Sequence, residues 1–292
     1  MRIIVFGAGE YGKTFINCCS GFDEIVAVAD NYFADTSMFG HKVIKPSNIL
    51  DFDFDKVIIA LSDRHNNGVK TIVDVYEQLM DMGVPRSKIL LNNVLAEMLP
   101  MHKIRANFLN SLRTIERETA EPISGKLAEV GVYRGDFAAV INRLYPEKEL
   151  YLFDTFEGFD ERDINVETSS VSRHWLATGG ASHHAQGSEL LSLLRCPHYE
   201  QVAVKRGYVP DTLVEVENEK FCFVNIDLDL YAPTLAALKF FMPRMVERGV
   251  ILLHDYFSVN VPGIKQAVDD FDVNRDIVRF PIGDNYSIAL LS

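Results

Sequence analysis

Short apolar runs along the chain alternate with stretches in which apolar residues recur every three or four positions. RIIVFGAG (2–9), EIVAVAD (24–30), KVIIAL (56–61) and KILLNN (88–93) are rich in β-branched residues and predict strands, while EYGKTFINCC and residues 64–82 carry helical spacing. That alternation predicts a parallel sheet covered by helices. Residues 94–120, including FLNSLRTIERETA, predict a helical connector with a break near Pro100. The alternation then restarts. Strands are expected at KLAEVGVY (126–133), ELYLFDTF (149–156), EQVAVKRG (200–207), FCFVNIDL (221–228) and GVILLHDY (249–256), with helices at DFAAVINRLY, 232–245 and 263–273. The chain closes with DIVRFPIG and YSIALLS, two strands joined through Asp284 and Asn285. The reading is therefore an α/β chain with two Rossmann-like units, over 1–95 and 121–292, and the connector 96–120 between them.

The polar stretch from Glu157 to Gly187 is too long for an idle loop in a compact unit. It carries a Gly-Gly pair, Trp175, His174, His183 and His184, and is read as a lid over the second unit's site.

Length and composition narrow the function classes. A chain of 292 residues can form two domains, each with its own core, and 48% hydrophobic with 24% charged residues is the balance of a soluble globular protein. A net charge of −12 argues against a nucleic-acid backbone or an anionic membrane as the main partner. Cys18, Cys19, Cys196 and Cys222 show no metal-type spacing and are read as buried reduced thiols of a cytoplasmic protein. No apolar run approaches the roughly 20 residues that span a bilayer. The N-terminus begins with a strand, so no signal peptide is expected.

Two turns carry chemistry. Gly7, Gly9 and Gly12 form G-x-G-x-x-G between a strand and a helix, where backbone N–H groups can hold a diphosphate. Asp30 ends the next strand, where an acid would bind a ribose. Such a turn is occupied by a nucleotide or is a relict loop in a docking domain. In AEVGVYRGDFA, Gly131 and Gly135 let the backbone approach a ligand and Glu129 ends the strand. Asp154, followed by Thr155, tips the next strand, where a carboxylate can accept ribose hydroxyls. Asp227 and Asp255 end the fourth and fifth strands of this unit and, with His254, could converge on one cation. Oxygen ligands favour magnesium, and a histidine shifts the preference toward manganese or another divalent transition metal. Asp229 has a second reading as the cap of the helix that follows.

Five strand–helix units closed by a terminal hairpin resemble the sheet of a class I methyltransferase, with one antiparallel strand inserted last. The stretches EVGVYRGDFA, YLFDTFEGF, GYVPDTL, NIDLDLYAPTLAALKFFMPRMVERGVILLHDYF and GIKQAVDDF resemble the macrocin O-methyltransferase family, in family order from about residue 125 to 273. The resemblance implies S-adenosylmethionine, a divalent metal and methyl transfer to a sugar hydroxyl, in polysaccharide, glycan or natural-product biosynthesis. It implies metal ligands at Asp227 and at the pair closing the fifth strand. That pair is usually Asp-Asp-Tyr, and here it is His254, Asp255 and Tyr256. A lid histidine acting as general base is implied as well, and spacing back from GYVPDTL puts it at His174. GHKVIKPSNI resembles the N-terminal domains of bacterial nucleotide-sugar-modifying proteins, which implies a bound sugar nucleotide or dinucleotide, or a vestigial site, and a sugar or nucleotide-sugar acceptor fits such a domain. A homo-oligomer is compatible with this reading. The competing readings are an NAD-dependent nucleotide-sugar oxidoreductase or isomerase centred on Gly7–Gly12, and a non-catalytic binding protein.

Overall fold

The computed structural model describes residues 1–19, 23–33, 36–63, 67–92, 100–119, 123–167, 169–178, 188–272 and 277–291. The first sheet is built from β1 (Arg2–Phe6), β2 (Glu24–Ala29), β3 (Ser37–Met38), β4 (His41–Ile44), β5 (Lys56–Ile59) and β6 (Ile89–Leu91), in the order β3-β4-β2-β1-β5-β6. Helices α1 (Glu10–Cys19) and α2 (Gly68–Asp81) cover it. Ile3, Ile4, Val5 and Phe6 are all buried, as a central strand covered on both faces requires.

β3 and β4 depart from the sequence reading, which gave this half four strands. They are two and four residues long, sit at the sheet edge and are half exposed, so they carry too short a pattern to read. Cys18 also departs, because its side chain is exposed while Cys196 and Cys222 are buried.

α3 (Pro100–Glu118) is the expected connector helix. Its Leu109 is buried in the core of the second half, with Ala106, Phe108 and Leu112 packed beside it. The residues just before Pro100, where a break was expected, lie outside those described.

The second half contains β7 (Lys126–Val130), α4 (Asp136–Leu144), β8 (Leu150–Asp154), α5 (Glu161–Val166), α6 (Ser170–Ala177) and α7 (Ser188–Arg195). It continues through β9 (Val202–Arg206), β10 (Phe221–Ile226), α8 (Tyr231–Phe241), β11 (Met245–Leu253) and α9 (Gly263–Asp272) to β12 (Val278–Pro281) and β13 (Ile288–Leu291). Its seven strands run β12-β13-β11-β10-β7-β8-β9. Among the described strands of this half, only β13 opposes the sheet direction, pairing antiparallel with both β11 and β12. The order reverses between β7 and β10, where Glu129 pairs with Asn225 and Val130 with Ile226. A doubly wound sheet opens a crevice at that point. All six residues of β10 are buried. Phe221 and Phe153 both meet Phe241 of α8 edge to face, at 5.0 and 6.0 Å, and pin that helix against one face.

The described part of the expected lid carries two short helices that its polar sequence did not predict. Asp160 and Ser169 cap α5 and α6 through side-chain bonds to Arg162 N and Ser172 N. Gly179, Gly180, His183 and His184 lie outside the described residues. α8 ends at Phe241, before Pro243, and β11 begins at Met245, so the expected helix to 245 is one turn too long.

Candidate active site

The C-terminal ends of β7, β8, β10 and β11 open into a cavity of about 730 Å³, within the usual range for small-molecule sites. Glu129, Gly131, Asp154, Thr155, Asp227, Asp229, His254 and Asp255 line its floor, and Asp163, Trp175 and Tyr208 line its lid side. Tyr133, Phe156, Asp229 and Asp255 have positive φ values of 54–60° at these strand ends. Such backbone costs roughly 1–3 kcal/mol per non-glycine residue and collects at functional sites.

Asp154 is fixed by its own backbone surroundings. Its carboxylate accepts N–H bonds from Val132 (2.7 Å), Tyr133 (2.8 Å) and Phe156 (2.7 Å). The glycines of this turn have a packing reason that spacing alone did not reveal. A Cβ on Gly131 would lie 1.9 Å from Asp227 O, and one on Gly135 would lie 2.5 Å from Ser192 Cα. Both have positive φ, so chain must pass chain here before any ligand is considered.

The first half repeats the device. Asp30 accepts N–H bonds from Ala8 (2.7 Å), Tyr32 (2.7 Å) and Phe33 (2.9 Å). Cβ atoms on Gly7 and Gly12 would meet Ala60 O at 2.9 Å and Gly7 O at 1.9 Å, whereas one on Gly9 would meet nothing within 4 Å. None of Gly7, Gly9, Gly12 or Asp30 lines the large cavity.

A chain of buried polar groups crosses the floor. Glu129 Oε1 accepts from Asn225 Nδ2 (3.1 Å), and Asn225 Oδ1 accepts from Arg105 Nη2 (2.9 Å). Arg105 Nη1 reaches Asp227 Oδ2 at 3.2 Å. Arg105 is 1% exposed, and its guanidinium lies over the Phe137 ring at 4.2 Å. His254 Nδ1 then stands 3.0 Å from Asp227 Oδ1 and 2.9 Å from Asp255 Oδ2, with its ring stacked on Tyr286.

Burial opposes the charge on His254, yet the flanking carboxylates of Asp227 and Asp255 prevail and raise its pKa to about 10. Burial also works against the Asp227 anion, and His254 and Arg105 overcome it and hold that carboxyl below its ordinary value. Burial first, and then the Asp227 and Asp255 charges, push Asp229 well up. Burial does the same to Glu129. In the lid, burial lifts Asp163 to about 6 while Tyr208 Oη donates to it at 2.7 Å.

The donor set fits a divalent cation. Asp227, His254 and Asp255 each offer one ligand atom, all within 4.8 Å of one another. Two oxygens and a nitrogen suit manganese or a similar ion better than calcium. The cavity suits a nucleoside cofactor too. Glu129 Oε2 and His254 Nε2 are buried without a hydrogen-bond partner among the described residues, as expected of groups that complete their bonding with a ligand.

The structure thus brings together Glu129, Gly131, Asp154, Thr155, Asp227, His254 and Asp255. Gly135 stands behind the turn, against α7. His174 is exposed on α6, while its neighbour Trp175 lines the cavity. Asp229 does not cap α8, whose N-cap is Leu230 with no side-chain cap. Arg105, Asp163 and Tyr208 escaped the sequence reading. Asn225 had a visible signal, a polar side chain inside the apolar run FVNIDL, whereas Arg105 is one of several cations on an amphipathic helix.

A family model described as macrocin-O-methyltransferase matches residues 101–284, more than half of the chain, and one described as C2185-like, N-terminal, matches residues 1–90. A curated relative from Streptomyces olivaceus is 26% identical over 168 residues, covering 54% of this chain. It is described as 8-demethyl-8-(2,3-dimethoxy-alpha-L-rhamnosyl)-tetracenomycin-C 4'-O-methyltransferase, and the match spans 61% of its length. Among solved structures, the O-methyltransferase NovP matches with a TM-score of 0.53 at 19% identity, over 64% of this chain and 79% of its own. The calicheamicin methyltransferase CalS11 matches with a TM-score of 0.53 at 18% identity, over 80% of this chain and 95% of its own. At such identities the two structures speak for the fold alone.

Proposed function

The chain belongs to the macrocin-O-methyltransferase family, and on that premise we propose that it transfers a methyl group from S-adenosylmethionine to a sugar hydroxyl with the help of a divalent cation. The observation that carries this reading is one cavity at the sheet's switch point, into which the cofactor turn and the Asp227–His254–Asp255 group both open. The acceptor class is supported by the rhamnosyl substrate in the Streptomyces relative's description. A nucleotide-linked sugar, a surface polysaccharide precursor and a natural-product glycoside all belong to it.

In this reading Glu129, the Gly131 turn, Asp154 and Thr155 hold the cofactor. When bound, S-adenosylmethionine supplies an electrophilic sulfonium methyl. Asp227, His254 and Asp255 would hold the cation, which when bound lowers the pKa of a neighbouring hydroxyl. Arg105 fixes the Asp227 carboxylate from behind and neutralises part of its charge. The lid carboxyl of Asp163, paired with Tyr208, offers an acceptor for a hydroxyl proton beside Trp175. His174 remains the other candidate base and would have to turn inward from its exposed helix to serve. Orienting two bound reactants supplies much of the rate gain.

The test is transfer of a labelled methyl group to a panel of free, lipid-linked and nucleotide-linked sugars, with wild-type chain and Asp227→Asn. Turnover that stops in D227N, while S-adenosylhomocysteine still binds, is the expected outcome. Full turnover in D227N would remove the cation from the account. Comparing Asp163→Asn with His174→Ala assigns the base.

A further inference from the structure

The cofactor turn is held at the cavity edge by residues of the first half. Asp63 follows β5, stands at the edge of the same cavity and is 8% exposed. Its Oδ2 receives Arg195 Nη2 at 2.9 Å, and its backbone carbonyl accepts from Arg134 Nη1 at 3.0 Å. Arg195, 4% exposed, donates through Nε to the Arg134 carbonyl (3.0 Å) and stands 3.3 Å from Asp136 Oδ1. Arg134 lies within the turn, between Tyr133 and Gly135, and Asp136 starts the helix that follows it.

Helix α7 completes the link. Leu191 and Leu194 belong to the hydrophobic core of the first half, packed with Ile4, Ile59 and Leu91. Ser192, between them, lies where any Cβ on Gly135 would go. Arg86 of the first half donates to the Leu193 carbonyl at 3.0 Å. One helix is thus rooted in one core while its backbone and its last residue define the position of the other half's glycine turn.

We infer that the first half serves as a holder of the cofactor turn, with Asp63 as a positioning residue acting through Arg195, so that cofactor occupancy and the state of the first half are energetically linked. A buried aspartate between two arginines of the other half is a geometry-specific contact, and losing the carboxylate charge leaves Arg195 under-compensated. Linkage of this kind is reciprocal: whatever loosens the first half weakens cofactor binding, and cofactor stiffens the first half. The inference rests on residues 129–137 being the cofactor turn.

Hydrogen exchange by mass spectrometry on the full chain, with and without S-adenosylhomocysteine, provides the test. Slower exchange is expected at 129–137 and also at 188–195 and 56–63. In Asp63→Asn, affinity should fall about tenfold, in the usual range of coupling between sites. Saturating ligand should then still protect 129–137 but no longer 56–63. Protection confined to the second half in the wild-type chain overturns the inference even if D63N does not fold. Unchanged affinity and unchanged protection in a folded D63N overturns it as well. Failure of S-adenosylhomocysteine to bind the wild-type chain is a different result and removes the methyltransferase reading, with this inference following it.

Discussion

His254 shows how one side chain can be read differently once its neighbours are known. Standing between two carboxylates, it is held as an imidazolium, its pKa raised from 6.5 to about 10. A group with a raised folded-state pKa contributes stability fully below its unfolded value and loses it as pH rises through the folded one. The metal-free chain should therefore lose stability between about pH 6.5 and pH 10, and His254→Gln should flatten that slope. Denaturant midpoints across the window check this, and parallel curves for wild type and H254Q would contradict it. A cation must displace that proton, so manganese affinity should rise about tenfold per pH unit while His254 is protonated. Arg105 supports the same cluster without entering it, and Arg105→Met should weaken manganese binding about 10- to 100-fold. Calorimetry on a folded R105M chain measures that loss. Gly135 has less latitude. Gly135→Ala adds a Cβ 2.5 Å from Ser192 Cα at a φ of 78°, so a thermal scan should show a strongly destabilised chain, by roughly 1–3 kcal/mol or more.

Among the elements, α7 carries the most structural consequence for its length. Its eight residues, SELLSLLR, touch both halves, and Leu194→Ala should cost about 2–5 kcal/mol as a core truncation. A first half that melts separately in L194A, seen as a second transition, would fit its place in that core. Unchanged unfolding would not. This helix was not legible in the sequence, because Leu190, Leu191 and Leu194 pack into the core of the first half, whose strands lie far away along the chain. β3 and β4 were hidden by shortness, and α5 and α6 by a polar stretch whose order comes from the Asp160 and Ser169 caps. The long strands and the amphipathic connector were legible because burial on one or both faces imposes their periodicity.

At the scale of the whole molecule, the sequence pattern carried the fold further than it carried the site. The two sheets, the reversed last strand and the convergence of Asp154, Asp227 and Asp255 follow from strand order, since parallel strands bring their C-terminal ends together. The glycines were legible as turns but not as packing contacts, because the atoms they meet are distant in sequence. Arg105 reaches the second half's strand ends, and Asp63 its glycine turn, from far along the chain, and no local pattern marks them. No helix among the described residues is long and apolar enough to cross a membrane. The central claim is that one cavity takes both the methyl donor and the cation. Calorimetric titration of the metal-stripped chain with S-adenosylhomocysteine, repeated in the presence of manganese or magnesium, tests it most directly. Micromolar binding of S-adenosylhomocysteine, together with a single cation site that disappears in D227N, is the expected result. Absence of S-adenosylhomocysteine binding under every metal condition would contradict the account.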